Sequence, residues 1–283
     1  MQIKQLINEQ INLLNKNNID DSCIVAKILL CKLLNVNNQY LVINADKNID
    51  INIENKFRKQ IAEVIDGKPL QYITNNQEFM KLDFYVDENV LIPQPDTEIL
   101  VEEVLKICKE NYKDNVSILD LCTGSGAIAI SLDTYIKTHK TVIGSDISKG
   151  ALNVAKKNNK NNNTNVQFIC SDMFNKMNEK AFDIIVSNPP YIRTELINTL
   201  SKDVQSEPNL ALDGGNDGLI FYKKIAEESY KYIKGKGYLC LEIGYDQKEK
   251  VIQLLQNTHK YINIRAIKDL SGNDRCVIAK CNK

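Results

Sequence analysis

The chain has 283 residues, 43% of them apolar and 25% charged, with Lys+Arg and Asp+Glu balanced at 36 each. This is an ordinary globular composition, long enough for one or two domains with a sizeable core, and the zero net charge argues against a broad basic footprint for nucleic acid. No apolar run reaches the ~18 residues of a membrane-spanning helix, and His139, His259 and eight Cys without a C-x-x-C pair offer neither a metal centre nor a disulfide framework.

The first stretch reads as helices. Ile3, Leu6, Ile7, Ile11 and Leu14 recur at helical spacing, and Glu9 within this run makes it unlike a signal peptide. A second helix is expected from the cap Asp20-Asp21-Ser22 through Leu33, and a third over Ile53–Ile65, until Gly67-Lys68-Pro69 breaks it. Such a bundle serves either as a stabilising cap or as a docking surface, and periodicity does not separate the two. A β-like run from Glu78 to Leu91 follows, with Phe79, Leu82, Phe84, Val86 and Val90 suggesting a short hairpin. Pro95 stops it, and Asp96 is positioned as the N-cap of a helix through Ile99, Leu100, Val104 and Leu105.

From about residue 115 strands and helices alternate. The strands are expected at Val116–Leu121, Thr141–Gly144, Val166–Cys170, Phe182–Val186, Tyr238–Ile243, Ile262–Lys268 and Cys276–Lys280, with helices such as Lys149–Asn158, Leu219–Ile233 and Gln247–Gln256 between most of them. Alternation of this kind predicts an α/β fold with a mostly parallel sheet covered on both faces. The last two strands have no helix between them and are expected as a hairpin. The Asn-rich stretch Asn158–Asn165 reads as a surface loop.

Chemistry-bearing residues gather at the strand ends. Asp120-Leu121-Cys122-Thr123-Gly124-Ser125-Gly126 ends the first strand and opens a helix, and its small residues allow a ligand close to the backbone. Gly124, Gly126 and Ala129 fit G-x-G-x-x-A, so the loop alone admits a dinucleotide; it lacks the Lys of a P-loop. Asp146 ends the second strand, where a carboxylate suits ribose hydroxyls, and Asp172 with Met173 ends the third, an acid and an apolar side chain suited to an adenine. Asn188-Pro189-Pro190-Tyr191 ends the fourth. Two prolines stiffen this loop and leave the Asn188 side-chain oxygen and the Asn188 and Pro189 carbonyls as acceptors, matched to a planar NH2 group. A methyl donor needs an amino group held in this way; a hydride carrier does not.

The constellation resembles the class I S-adenosylmethionine-dependent methyltransferases. More narrowly, it is similar to the HemK/PrmC family, the protein-(glutamine-N5) methyltransferases of peptide-chain release factors. The glycine loop marks only the superfamily, and the Asn-Pro-Pro-Tyr loop marks methylation of amino groups. The two segments at 69–102 and 207–219 make the narrower resemblance specific, and family-like residues, including 241–247 and 269–275, cover nearly the whole chain. Gln94 stands where the family usually has Arg, Cys122 for a frequent Gly, Met173 for a frequent Trp, and Asn75 and Lys81 where Gly is common.

The resemblance implies a Rossmann-like seven-stranded sheet in residues 96–283, a helical substrate-docking domain in 1–75 and a connecting hairpin in 76–95. It implies S-adenosylmethionine, leaving as S-adenosylhomocysteine, held by Cys122, Thr123, Gly124, Ser125, Gly126, Asp146, Asp172, Met173 and Asn188, with no metal. It implies substrate contact from Asn188, Pro189, Pro190 and Tyr191, with Asn188, Pro189 and Tyr191 carrying the chemistry. The substrate expected is the glutamine of the Gly-Gly-Gln motif of class I release factors, in the cytoplasm, by a monomer with no stable nucleic-acid or membrane partner. Three other readings stay open: glutamine methylation of a ribosomal protein, adenine-N6 methylation of DNA or RNA, and a non-enzymatic adaptor with a relic cofactor fold.

Overall fold

The computed structural model describes every residue of the chain except Lys180. Its residues divide into two compact units: Met1–Asn75 with Ser201–Ser206, and Asn76–Leu200 with Glu207–Lys283.

In the first unit the apolar periodicity becomes helices at Ile3–Lys16, Ser22–Leu34 and Ile51–Ile65, as expected, together with short ones at Asn38–Ile43 and Leu70–Thr74 that the sequence reading passed over. Their inward stripes supply one core, including Leu6, Leu14, Leu29, Leu30, Phe57 and Ile61. Asp50 caps the third long helix by accepting from the Asn52 backbone N–H at 2.8 Å. The second is different: Asp21 sits at φ +48 and makes no side-chain cap bond.

The second unit begins with a two-stranded hairpin, β1 (Gln77–Phe79) and β2 (Leu82–Phe84), in antiparallel register. The two turn residues, Met80 and Lys81, both have positive φ, +51° and +58°. That is the geometry of a primed two-residue turn, which ordinarily selects Asn-Gly; Met-Lys carries no such signal in sequence. Residues 85–94 are irregular and not strand, so the β-like run ends sooner than expected. Asp96 is not a helix cap. It lies in a 3-10 turn over Pro95–Thr97, the α-helix starts at Glu98, and the Asp96 carboxylate instead pairs with Arg275 at 2.8 Å.

The main sheet has seven strands: β3 (Asn115–Leu121), β4 (His139–Asp146), β5 (Gln167–Cys170), β6 (Phe182–Ser187), β7 (Ile233–Glu242), β8 (Tyr261–Lys268) and β9 (Asp274–Cys281). Their order is β5-β4-β3-β6-β7-β9-β8. The first five in that order run parallel, and β9 is antiparallel to both of its neighbours, so the expected terminal hairpin forms and inserts its second strand beside β7. Alternate side chains feed two cores: Val116 and Ile118 of β3 with Ile184 and Val186 of β6 on one face, Leu119 and Leu121 with Ile185 on the other. The chain runs outward from β3 through β4 to β5 and returns to β6 beside β3, so the strand order reverses between β3 and β6. A crevice opens at the carboxyl ends there.

The Asn-rich stretch is not simply a surface loop. The helix from Lys149 continues to Asn161, and Asn158 is fully buried. Asn158 Oδ1 accepts from the Tyr85 N–H at 2.7 Å, while its Nδ2 donates to the Tyr85 and Ser125 carbonyls, each at 2.9 Å. One amide thus fastens the glycine-rich loop and the irregular segment after β2 to a helix.

Two stability predictions result. Replacing Lys81 with Gly relieves a left-handed residue and should raise the unfolding free energy by roughly 0.5–1 kcal/mol net of the entropy cost of Gly, seen as a higher urea midpoint at unchanged slope. Asn158→Ala removes the partner of three backbone groups, one of them in a buried bond, and should lower it by about 3 kcal/mol in the same measurement.

Candidate active site

Leu121 pairs with Ser187 across the parallel β3–β6 ladder, and Ser187 Oγ donates to the Leu121 carbonyl at 2.8 Å. Cys122 and Asn188 therefore leave the sheet side by side. On the other side of β3, Leu121 pairs with Ser145 and Asp146 with Cys170, so the chain ends of β3, β4, β5 and β6 form one rim. A cavity of about 150 Å3 opens at that rim.

The expected cofactor residues divide by role. Cys122, Gly124, Asp146, Asp172, Met173 and Asn188 line the cavity, whereas Thr123, Ser125 and Gly126 do not. The latter three build the loop. The Thr123 backbone N–H donates to the Ser145 carbonyl at 2.9 Å, pinning the loop to β4, and Thr123 Oγ1 donates to Asp120 Oδ2 at 2.6 Å. Gly126, at φ +82, sits where another residue would be strained, and a Cβ there would press at 3.0 Å on Ile130 and 3.2 Å on Ala155. Gly124, at φ +54, has nothing within 4 Å of such a position, so its bare backbone faces open space in the cavity wall.

Asp146 is the anchor of this wall. Its Oδ2 accepts from the Gly124 N–H at 2.9 Å and its Oδ1 from the Ser148 N–H at 2.8 Å. Burial pushes its carboxyl upward while these backbone donors oppose the shift. A carboxylate offers about four lone-pair directions, more than its backbone donors occupy, so acceptor capacity remains for a hydroxyl group in the cavity. Met173, buried and at φ +46, together with Phe221 gives the cavity an apolar wall. Asp172 lies beyond it, half-exposed and paired with Lys224 at 3.2 Å. Bare backbone, a carboxylate with spare acceptors and an apolar wall fit a nucleoside with a short charged extension. Among the described residues no His/Cys/Asp/Glu cluster could hold a metal ion.

Of the Asn-Pro-Pro-Tyr loop, Asn188 and Pro190 line the cavity, whereas Pro189 and Tyr191 do not. The loop is held from outside by groups that sequence reasoning did not assign. Gln247, 3% exposed, donates from Nε2 to the Tyr191 carbonyl at 3.0 Å and to the Gly218 carbonyl at 3.2 Å, and its Oε1 accepts from the Gly244 N–H at 3.0 Å. Ile192 exchanges backbone bonds with Leu212 and Gly214 at 3.0 and 2.8 Å. A Cβ on Gly214 would fall 2.7 Å from the Tyr191 Cα, so only glycine lets the segment cross the loop this closely. The Gly214-Gly215 pair and the Glu242-to-Gln247 spacing are the signals that mark these residues in the chain.

Burial raises the Tyr191 phenol well above its ordinary range, with Glu242 adding to the shift and Arg275 opposing it. The Tyr191 phenol is therefore held neutral at neutral pH. Asp120, wholly buried under the glycine loop, is pushed up to about 7 by desolvation against the Thr123 hydroxyl and the Ala129 N–H.

Comparison with known proteins bears on this geometry. A profile of the Methyltransferase small domain matches residues 95–207, and one of the PrmC N-terminal domain matches residues 5–74. Among solved structures, a methyltransferase from Pyrococcus furiosus is similar with TM-score 0.54 at 19% identity, over 80% of this chain and 99% of that one. The hMettl16 catalytic domain is similar with TM-score 0.58 at 15% identity, over 77% and 83%. Those likenesses speak for the fold alone. Much nearer in sequence are proteins named release factor glutamine methyltransferase. The one from Clostridium acetobutylicum is 39% identical over 99% of this chain and 98% of its own length, and the one from Fusobacterium nucleatum is 38% identical over 97% and 78%. At such identity over nearly full length, the chain belongs to the release factor glutamine methyltransferase family.

Proposed function

We propose that this chain transfers the methyl group of S-adenosylmethionine to the side-chain nitrogen of a glutamine in a class I peptide-chain release factor, the glutamine of its Gly-Gly-Gln motif. The observation that carries the reading is the stiff Asn188-Pro189-Pro190-Tyr191 loop beside a cavity whose other strand ends offer Gly124 and Asp146. It gains support from the family to which the chain belongs. In this reading residues 1–75 are the docking domain for the release factor, and the enzyme works as a cytoplasmic monomer without stable nucleic-acid binding. No helix among the described residues is long and apolar enough to cross a membrane.

When bound, S-adenosylmethionine supplies an electrophilic methyl group on a sulfonium. Asp146 would take the ribose hydroxyls on its remaining lone pairs, Gly124 would admit the cofactor against bare backbone, and Met173 would lie against the adenine. Cys122, Asp172 and Asn188 complete the wall, while Thr123, Ser125 and Gly126 hold its shape.

An amide nitrogen is a poor nucleophile because its lone pair is delocalised. Asn188 Oδ1 and the Pro189 carbonyl would accept its two N–H bonds, fix the nitrogen and favour pyramidal geometry. The same acceptors stabilise positive charge developing on that nitrogen, the counterpart of an oxyanion hole. No base is needed before transfer; the proton leaves the product nitrogen afterwards. Pro190 stiffens the loop, and Tyr191 packs behind it.

Asn188→Ala should retain most cofactor binding yet slow methyl transfer on the order of 10²–10³-fold. Incorporation of label from S-adenosylmethionine into purified release factor measures this, with the modified glutamine located by mass spectrometry; near-normal turnover removes Asn188 from the mechanism. Offering adenine-containing DNA, RNA and ribosomal protein in parallel tests the substrate, since label on one of those alone overturns the release-factor reading. Asp146→Ala should weaken cofactor binding by about 10–100-fold in calorimetry, the worth of charge-assisted hydrogen bonds.

A further inference from the structure

Behind the Asn-Pro-Pro-Tyr loop lies a buried polar cluster that the mechanism above does not use. Glu242 ends β7, one position past Leu241, which pairs with Ser187 of β6, so Glu242 and Asn188 are neighbours at the sheet edge. The Glu242 side chain is 2% exposed, and its Oε2 has no hydrogen-bond partner among the described residues. Thr97, also buried, comes from the turn that precedes the Glu98 helix. Asn188 Nδ2 donates to Thr97 Oγ1 at 3.3 Å, and both side chains lie near enough to the Glu242 carboxyl to oppose the rise in its ionisation that burial causes. A buried carboxyl at a strand end, with an unsatisfied oxygen, costs several kcal/mol and calls for a reason.

We propose that Glu242, acting through Thr97, is a positioning residue for methyl transfer: it keeps the Asn188 amide turned with its NH2 inward and its Oδ1 toward the cavity. This rests on Asn188 being the group that holds the substrate amide.

The argument is one of donors and acceptors. The two ends of an amide have nearly the same shape, so neighbours decide which way it points. An ionised carboxylate only accepts. It therefore draws the single Thr97 hydroxyl proton toward itself, which leaves Thr97 Oγ1 as an acceptor for Asn188 Nδ2. The chain of bonds then runs one way, and Oδ1 is left facing outward as the acceptor that the substrate NH2 requires. A protonated Glu242 reverses the chain. It can donate to Thr97 Oγ1, which frees the Thr97 proton to turn to Asn188 and favours the flipped amide, with its NH2 set against the NH2 of the substrate.

The groups facing Glu242 set where that reversal occurs. Desolvation pushes its carboxyl up to about 7, against Thr97, the Arg275 charge from β9 and Asn188, while Asp96 adds to the rise. Tyr191, Tyr222 and Cys276 also face it, and burial holds all three neutral at neutral pH by raising their own ionisation. The ionised form is the competent one, so turnover at saturating substrate should fall as pH drops through about 7.

The test compares full-length wild type, Glu242→Gln, Thr97→Val, Thr97→Ser and Asn188→Ala between pH 6 and 9, with release factor as substrate and S-adenosylhomocysteine binding as the fold control. Glu242→Gln no longer imposes a direction. Its kcat at pH 8 should fall about tenfold, with the limb near pH 7 lost and KM and cofactor affinity within about twofold. Thr97→Val should match it, and Thr97→Ser, which keeps the relay hydroxyl, should restore both rate and limb. A Glu242→Gln enzyme with wild-type kcat, or one retaining the limb near pH 7, overturns the proposal. If Glu242→Gln fails to fold, the Thr97 pair decides, and equal activity of Val and Ser overturns it. Near-normal turnover by Asn188→Ala would instead strike the underlying assignment of the loop, a separate failure.

Discussion

Leu121 and Ser187 face each other across the β3–β6 ladder, and that register is the constraint on which the site depends. A slip of one residue would turn every side chain of one strand to the opposite face. Ile184 and Val186 would then leave the core they share with Ile118, and Asn188 would no longer follow the strand where Cys122 follows its neighbour. The apolar alternation of both strands thus fixes the chemistry at their ends. The Ser187 hydroxyl bonded to the Leu121 carbonyl reinforces the same alignment.

A stiff loop needs more than two prolines. Pro189 and Pro190 restrict their own φ values but do not hold the loop against the sheet. That is done from outside by Gln247, which reaches the Tyr191 and Gly218 carbonyls, and by the strand-like pairing of Ile192 with the segment through Gly214. Gly214 is required because another backbone passes within van der Waals distance of where its side chain would be. The loop is thus braced by segments twenty or more residues further along the chain.

The second unit also keeps several buried polar groups beside the cavity. Asp120 supports the glycine loop, Asn158 ties that loop to the segment after β2, and Glu242 lies behind Asn188. Each sits under a piece of irregular backbone bordering the cavity. Irregular backbone has unpaired N–H and C=O groups, and side chains that satisfy them convert a loop into a fixed surface. The concentration of such groups at the carboxyl rim of the sheet is consistent with the proposed need for a preorganised site.

The sequence by itself determined the helical first unit, the alternation of strands and helices, the terminal hairpin, and the positions of Gly124, Asp146, Met173 and Asn188 at strand ends. These follow from local periodicity and from small or acidic residues placed where a strand stops, and both are properties of neighbouring positions. Only the tertiary structure decided the Met80-Lys81 turn, the pairing of Asp96 with Arg275, the burial of Asn158 and the meeting of Thr97, Asn188 and Glu242. The two-residue turn lacked the Asn or Gly that would have marked it, while an acid after a proline and an Asn in a polar run each had a sufficient local explanation. Their actual roles depend on partners dozens to more than a hundred residues away, brought into reach by the return of the chain from β5 to β6 and by the antiparallel insertion of β9.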